Sequence, residues 1–556
     1  MRGAGILLGV GLVLSGARSA TAAEPPGPIV ELPPMIVEAT SGSVTWLYAN
    51  VKGDEYLSRC AKGTTRAFIE SHERLRRELR AIVPDEFLAS LPTITLLSGQ
   101  DVAPKESDQV ARELLGSEKM TAPGRGAPVK FLPNLRLDDR DLSAVFAYID
   151  ESAAKQIGLV VSASQLRLLL ERRTPMLPPW LIEGILSVRA QIDVRAEAVT
   201  LRPFGWLTAD ESRAIARNPT QPRALLPANE MFAPDSLRGD GNHHPRRVQA
   251  LQAQVGLFVR WALDPRNEVR EAFWAFAQRS SEQRVTEEMF AKSFGFGFSD
   301  LRDRLNDYLP IALKEPLHLE PGAPLKSAPS EIREATPAEI AQLRGTWERL
   351  EIGYVQRSHP EFVGSYTVQA RRTLRRPYER GEHDPRLLAE LGLCEIDAGD
   401  PAAGLPLLET AITANVGRPR AYYEVARLRF TELMRGQVAG RIFSAAELAP
   451  VVEPLRRAAD AAPPLPEAFG LLADAWVRSR DAMPAEDIQA ITSGAKYFAM
   501  NPAVSYRLAL ALACGGRRVE AAELLATGAE YVADEAARTR YAQLQAVLSG
   551  AVPAKE

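Results

Sequence analysis

A chain of 556 residues is too long for one hydrophobic core and must divide into domains. Its formal net charge is −3, and its arginine pairs (Arg76-Arg77, Arg246-Arg247, Arg371-Arg372, Arg375-Arg376, Arg517-Arg518) are scattered, so nothing makes a case for a nucleic-acid partner. Three cysteines, Cys60, Cys394 and Cys514, are too few and too far apart for a disulfide framework; Cys394 and Cys514 stand in apolar helical patterns and are expected as buried thiols.

Residues 1–23 read as a signal peptide, with Arg2 at the start, an apolar core from Ile6 to Leu14 and the small residues Ala20-Thr21-Ala22 for cleavage. That run is too short to span a bilayer and nothing later approaches spanning length, so a protein exported to the periplasm or beyond the cell, with no membrane span, is expected. No cysteine follows the apolar core, which argues against a lipid anchor. Residues 24–43 are a Pro-rich linker, within which LPPMIVEAT reads as a linker strand or a docking peptide.

From 44 to 313 the pattern is mixed α and β. A strand is expected over 44–49 (VTWLYA), an amphipathic helix over 64–82, a β-branched strand over 91–99, and strands at 130–132 and 142–149 on either side of the polar turn 138–141. A helix follows over 162–173 (SASQLRLLLERR), opened by serine and closed by Arg172-Arg173, which suit its C-terminal dipole. Then comes 177–188, LPPWLIEGILSV. A long helix is expected over 248–263, and a Phe-Gly turn with an amphipathic helix at 294–309 (FGFGFSDLRDRLNDYL).

The 177–188 segment resembles the P-x-W-L-x-E-G-hydrophobic signature of the peptidase-MA-like gluzincins, a family of zinc peptidases. The order and spacing of the surrounding elements, from Trp46 to Leu309, are similar to that family too. The resemblance implies an α+β fold in which Glu183 stands where the third zinc ligand would be, about twenty residues after an H-E-x-x-H helix. Counting back from Glu183 reaches Ala163, and neither 163–167 nor 164–168 contains a histidine or a glutamate. A catalytic zinc of this class needs two neutral imidazoles on one helix face and a glutamate to take the proton from metal-bound water. Serine, glutamine and leucine supply none of these, and Arg167 would repel a divalent cation. The domain is therefore expected to be degenerate, with no catalytic residue, metal or cofactor. Trp180 and Glu183 would mark a vestigial binding cleft. Glu183 is read as a vestigial residue holding local structure, satisfied by an arginine such as Arg167, or as part of a remodelled polar pocket.

Residues 314–337 are Pro- and charge-rich and read as an interdomain linker. From 338 to 550 the chain is helical and repetitive. Pro385 and Pro419 are 34 residues apart, the tetratricopeptide (TPR) period; Pro466 and Pro502 open further units at gaps of 47 and 36, with an insertion around 436–450. Gly392, Ala426, Ala473 and Ala509 occupy positions where paired helices must approach closely. The stretches 338–354 and 361–378 read as an irregular leading cap. The expected fold is thus an α+β gluzincin-like domain followed by an all-α TPR-like solenoid.

Other chemistry is weakly represented. His72-Glu73-Arg74-Leu75-Arg76 imitates a zinc motif without its last ligand and reads as a solvated helix face. His243-His244 sits in a loop; His318, His359 and His383 lack partners at ligand spacing. There is no G-x-S-x-G, P-loop or dinucleotide fingerprint, and acidic pairs such as Asp138-Asp139 or Asp300 with Asp303 carry no weight among 70 acidic residues. The expected function is an exported, non-catalytic scaffold that binds a protein or peptide through its repeats. The alternative is an active hydrolase, either a metallopeptidase with atypical ligands such as His243 or His244 beside Glu183 or an enzyme of another chemistry in the same cleft. A third reading makes the front domain a support for the solenoid.

Overall fold

The computed structural model describes residues 30–34, 45–88, 91–99, 129–132, 134–151, 163–195, 198–205, 225–233, 245–319, 331–435 and 442–550. The expected signal peptide and the pair His243-His244 lie outside them. In chain order the strands are β1 (Val30–Leu32), β2 (Leu47–Val51), β3 (Asp54–Ser58), β4 (Thr93–Gly99), β5 (Val129–Phe131), β6 (Asn134–Asp138), β7 (Ser143–Ile149), β8 (Ile192–Arg195), β9 (Ala198–Leu201), β10 (Leu317–Leu319) and β11 (Arg333–Glu334). The helices of the front part are α1 (Lys62–Ile82), α2 (Ala163–Glu171), α3 (Pro179–Arg189), α4 (Ala228–Met231), α5 (Pro245–Leu263), α6 (Arg270–Glu282), α7 (Glu287–Phe294) and α8 (Phe298–Lys314). Those of the rear part are α9 (Pro337–Ser358), α10 (Val363–Glu379), α11 (Pro385–Asp397), α12 (Pro401–Thr413), α13 (Pro419–Met434), α14 (Ala445–Asp460), α15 (Pro466–Val477), α16 (Ala485–Tyr497), α17 (Pro502–Cys514), α18 (Arg518–Ala529) and α19 (Glu535–Leu548). The front part is α+β and the rear part is helical.

A six-stranded mixed sheet, in the order β11-β2-β3-β4-β7-β6, organises the front part. Its central strands are covered on both faces. Tyr56 and Leu97 point towards Phe68 and Ile69 of α1. Leu57, Ile94, Leu96 and Phe146 point the other way, towards Leu343 and Trp347 of α9. Burial on both faces is why 91–97 reads as a nearly continuous apolar run. Strand β3 has no expected counterpart, because Asp54 and Glu55 break the apolar pattern. Both are nevertheless buried, Asp54 against Arg76 and Glu55 against Tyr48 and Arg386. The β2–β3 hairpin turns on Lys52 and Gly53, both left-handed (φ 54° and 95°), as a two-residue loop of this twist requires.

Behind the sheet, α3, α5, α6 and α7 enclose an aromatic core. Trp180 lies 5.4–6.0 Å, centroid to centroid, from Phe232, Phe258, Phe273 and Phe276. Helices α3 and α5 cross at two glycines: a Cβ at Gly184 would stand 2.5 Å from Val259 Cγ2 and 3.0 Å from the Val255 carbonyl oxygen, and one at Gly256 would stand 2.3 Å from Ser187 Oγ. The glycine after Glu183 is therefore required by helix packing. Gly295, left-handed at φ 79°, ends α7 and lets α8 begin, as the Phe-Gly turn suggests.

The two stretches expected as linkers carry structure where they are described. From 314–337, β10 adds to β9 and β11 adds to β2, both antiparallel. From 24–43, β1 pairs in parallel with β5, and Leu32, fully buried, packs among Ala341, Ile352, Phe362 and Tyr366 of the first rear helices, with the Tyr366 hydroxyl donating to the Pro33 carbonyl at 3.0 Å. This part of the Pro-rich segment docks within the chain.

The rear helices form successive hairpins, each packed on the next. The four prolines that set the repeat frame, Pro385, Pro419, Pro466 and Pro502, each begin a helix, a place where the missing N–H costs nothing. A Cβ at Gly392 would stand 2.7 Å from Leu408 and 3.0 Å from the Gly404 carbonyl, and Ala426, Ala473 and Ala509 are fully buried. Within the 47-residue spacing, Phe443 exchanges backbone hydrogen bonds with Arg478 and Arg480 at 2.8 Å before α14 begins. Helix α9 belongs to both parts: it opens the helical rear part and forms the second cover of the sheet. Cys394 is buried as expected; Cys514, also expected as buried, is exposed at the C-terminal end of α17, where Ala511 and Leu512 take the buried face.

Candidate functional site

Glu183 sits on the second turn of α3, a helix started by Pro179. Its Oε1 accepts from Arg167 Nη2 of α2 at 2.7 Å, and its Oε2 accepts from Gln252 Nε2 of α5 at 3.3 Å. Arg167 Nη1 also donates to Glu171 at 3.2 Å. Helix α2 thus presents a guanidinium, not an imidazole, to Glu183. A guanidinium fixed on the Glu183 carboxylate does not fit a divalent metal there, and among the described residues no group of three or more His, Cys, Asp or Glu side chains is arranged to hold one.

Trp180, expected beside Glu183 in a cleft, is 1 % exposed and belongs to the aromatic core. Its side chain cannot touch a ligand. The signature tryptophan is apolar and sits at helical spacing from Gly184 and Val188, which in sequence does not distinguish a core residue from a cleft residue.

The His72–Glu73 pair differs from its expected solvated face. Glu73 is buried and paired with Lys52 at 3.0 Å, and His72 Nδ1 lies 3.1 Å from the Tyr56 hydroxyl. These contacts fasten α1 to the sheet. His318 lies 3.0 Å from the Thr200 hydroxyl on the β10–β9 ladder, His359 caps the end of α9, and His383 rests against the Tyr378 ring.

The chemistry that the sequence conceals lies in the turn 138–141. Asp139 and Asp141, expected in a polar turn, are 7 % and 1 % exposed. Asp139 accepts from Arg349, from Arg418 at 3.0 Å and from Arg420 at 2.6 Å. Asp141 accepts from Arg418 at 2.5 Å and from the Arg420 backbone N–H at 2.9 Å. Arg349, wholly buried, also holds Glu390 at 3.2 Å and Asp397 at 2.8 Å. Three guanidiniums and four carboxylates therefore lock the front sheet to α9, α11 and the start of α13. Burial alone would raise the Asp139 carboxyl; the charges of Arg349, Arg420 and Arg418 outweigh it and hold the group well below the usual carboxylate range.

Beside this network opens a cleft of about 650 Å³. The β6–β7 turn and the end of α2 form one wall, α9 another, and the segments leading into α15 and α17 the third. Two of the few large apolar side chains exposed on the described surface, Met176 and Tyr497, stand on its rim at 50 % and 36 % exposure. It connects to the Glu183 position through Glu171, a lining residue bonded to Arg167. Sequence reasoning missed it because its residues come from eight separated places in the chain. The only local sign was the unexplained density of charge in 138–141 and 418–420.

No protein-family model matches the chain, and no curated protein matches it. No described helix is long and apolar enough to cross a membrane.

Proposed function

We propose that the chain is an exported, non-catalytic binding or scaffold protein, in which a degenerate gluzincin-like domain is joined to a TPR-like solenoid that engages a protein or peptide partner in the periplasm or outside the cell. The observation that carries this reading is the Arg167–Glu183 pair, 2.7 Å apart. A metallopeptidase of this class polarises the scissile carbonyl and activates water with a cation bound at that carboxylate. Here the carboxylate is satisfied by an arginine and a glutamine, neither of which can generate hydroxide. The hairpin array adds the second support, because stacked helix pairs present extended surfaces suited to polypeptide partners.

The test is elemental analysis of the purified mature protein after exchange against zinc and then chelator-free buffer. The expected result is no stoichiometric zinc, with Glu183→Gln behaving as the parent. One tightly held equivalent of zinc that Glu183→Gln loses would overturn the reading.

A further inference from the structure

We infer that the cleft between the β6–β7 turn, α9 and the approaches to α15 and α17 binds an acidic peptide segment, a glutamate- or aspartate-bearing stretch flanked by apolar residues. The inference rests on the binding reading above and names the site and the chemistry of its ligand.

The cleft's charges decide the sign of the ligand. Every carboxylate lining it is already matched: Asp138 by Arg136 at 2.8 Å, Asp139 by the buried arginines, Glu171 by Arg167 at 3.2 Å, Asp397 by Arg349 at 2.8 Å and Glu467 by Arg140 at 3.6 Å. The lining arginines are not all matched. Arg172 donates to a backbone carbonyl, that of Asp139, at 2.5 Å. Arg173 donates to the carbonyls of Glu86 and Pro175 and to the Gln278 side chain. Arg357, exposed on the last turn of α9, has no carboxylate within ion-pair distance among the described residues. Arg173 is buried with the Glu282 and Glu86 charges near it, so Arg172 and Arg357 are the two guanidiniums that face the cleft with no acidic partner among the described residues, in a concavity where low-dielectric walls strengthen their field. Arginine recognises a carboxylate by two parallel hydrogen bonds, which suits an Asp or Glu side chain.

The shape and the apolar surface select a peptide over a lone anion. A volume of about 650 Å³ is that of a site for a ligand of several residues rather than for a single ion. Met176 and Tyr497 hold exposed apolar surface on the rim, and Leu350, Pro464 and Met500 continue it inside. Such surface is matched by side chains flanking the acidic residue. Because the walls come from both parts of the molecule, only the whole chain forms the site.

The test uses the full mature chain and a dye-labelled octapeptide alternating glutamate with leucine, read by fluorescence anisotropy, against its glutamine counterpart. The acidic peptide is expected to bind at least about tenfold more tightly than the neutral one, with an affinity that falls as salt rises. Arg357→Glu, on an exposed side chain without a partner, should weaken the acidic peptide about tenfold or more while leaving the melting temperature unchanged; Arg172→Gln should act in the same direction. Equal affinity for the two peptides, or Arg357→Glu and Arg172→Gln binding like the parent, would overturn the inference. So would displacement of the labelled peptide by inorganic phosphate, at matched ionic strength, as effectively as by unlabelled peptide, which would make the cleft a general anion site. Stoichiometric zinc at Glu183 would overturn the non-catalytic reading instead, so the two failures are distinguishable.

Discussion

Replacing Asp139 by asparagine removes one charge and almost no volume from the junction of the two parts. In the parent, its carboxylate faces Arg349, Arg418 and Arg420, all 11 % exposed or less. Removing one member of a buried ion pair costs about 3–5 kcal/mol, because the charges left behind stay desolvated. Here the three arginines keep Asp141, Glu390 and Asp397, so the lower end, about 3 kcal/mol, is expected. The pH dependence gives an independent check. The folded carboxyl is depressed, so its stabilisation is complete above the ordinary carboxyl value near pH 4 and is lost as pH falls through the lower folded value. The gap between parent and Asp139→Asn should therefore be full at pH 7 and close in strong acid. Asp138→Asn is the control: its neighbour is exposed, pairs with Arg136 at 2.8 Å, and should cost less than about 1 kcal/mol. Urea denaturation of both variants at neutral and acid pH decides the matter. If Asp139→Asn is tolerated as well as Asp138→Asn at pH 7, the network does not hold the parts together.

Four further outcomes follow from the packing. Glu351 is buried beside Glu348, with its Oε1 accepting from the Trp347 indole at 2.6 Å; burial first, then the Glu348 charge, push its carboxyl well above the usual range. Its stabilisation is present below the unfolded value and is lost as pH rises, so Glu351→Gln should be more stable than the parent above about pH 5, by a margin that grows with pH and vanishes near pH 4, in chemical denaturation. Gly184→Ala should destabilise by about 1–3 kcal/mol despite alanine's better helix propensity, since its Cβ meets both Val259 and the Val255 carbonyl; a melting temperature at or above that of the parent would refute the close crossing. Trp347→Ala should cost about 3–5 kcal/mol, and a fragment of residues 338–556 should aggregate rather than behave as a folded monomer, because it uncovers Leu343 and Trp347; a soluble, cooperatively melting fragment would show that the solenoid does not need the sheet.

Local information wrote much of the secondary structure and little of the site. The sequence itself determined the α1, β4 and β7 patterns, the α2 helix without ligands, and the proline starts of α11, α13, α15 and α17, because periodicity, capping and the missing proline N–H act within a few residues. It also placed Arg167 within reach of Glu183, since both lie on neighbouring helices joined by a short connection. Tertiary structure alone decided that Trp180 is core, that Glu73 is buried, that α9 serves both the sheet and the rear helices, and that β10 and β11 complete sheets begun more than a hundred residues earlier. It decided the junction as well. A run such as Asp138-Asp139-Arg140-Asp141 reads as solvated because charge is costly to bury unpaired, and its partners Arg349, Arg418 and Arg420 lie more than two hundred residues away. Only the fold brings opposite charges from such distances into one desolvated cluster, and with it forms the cleft alongside.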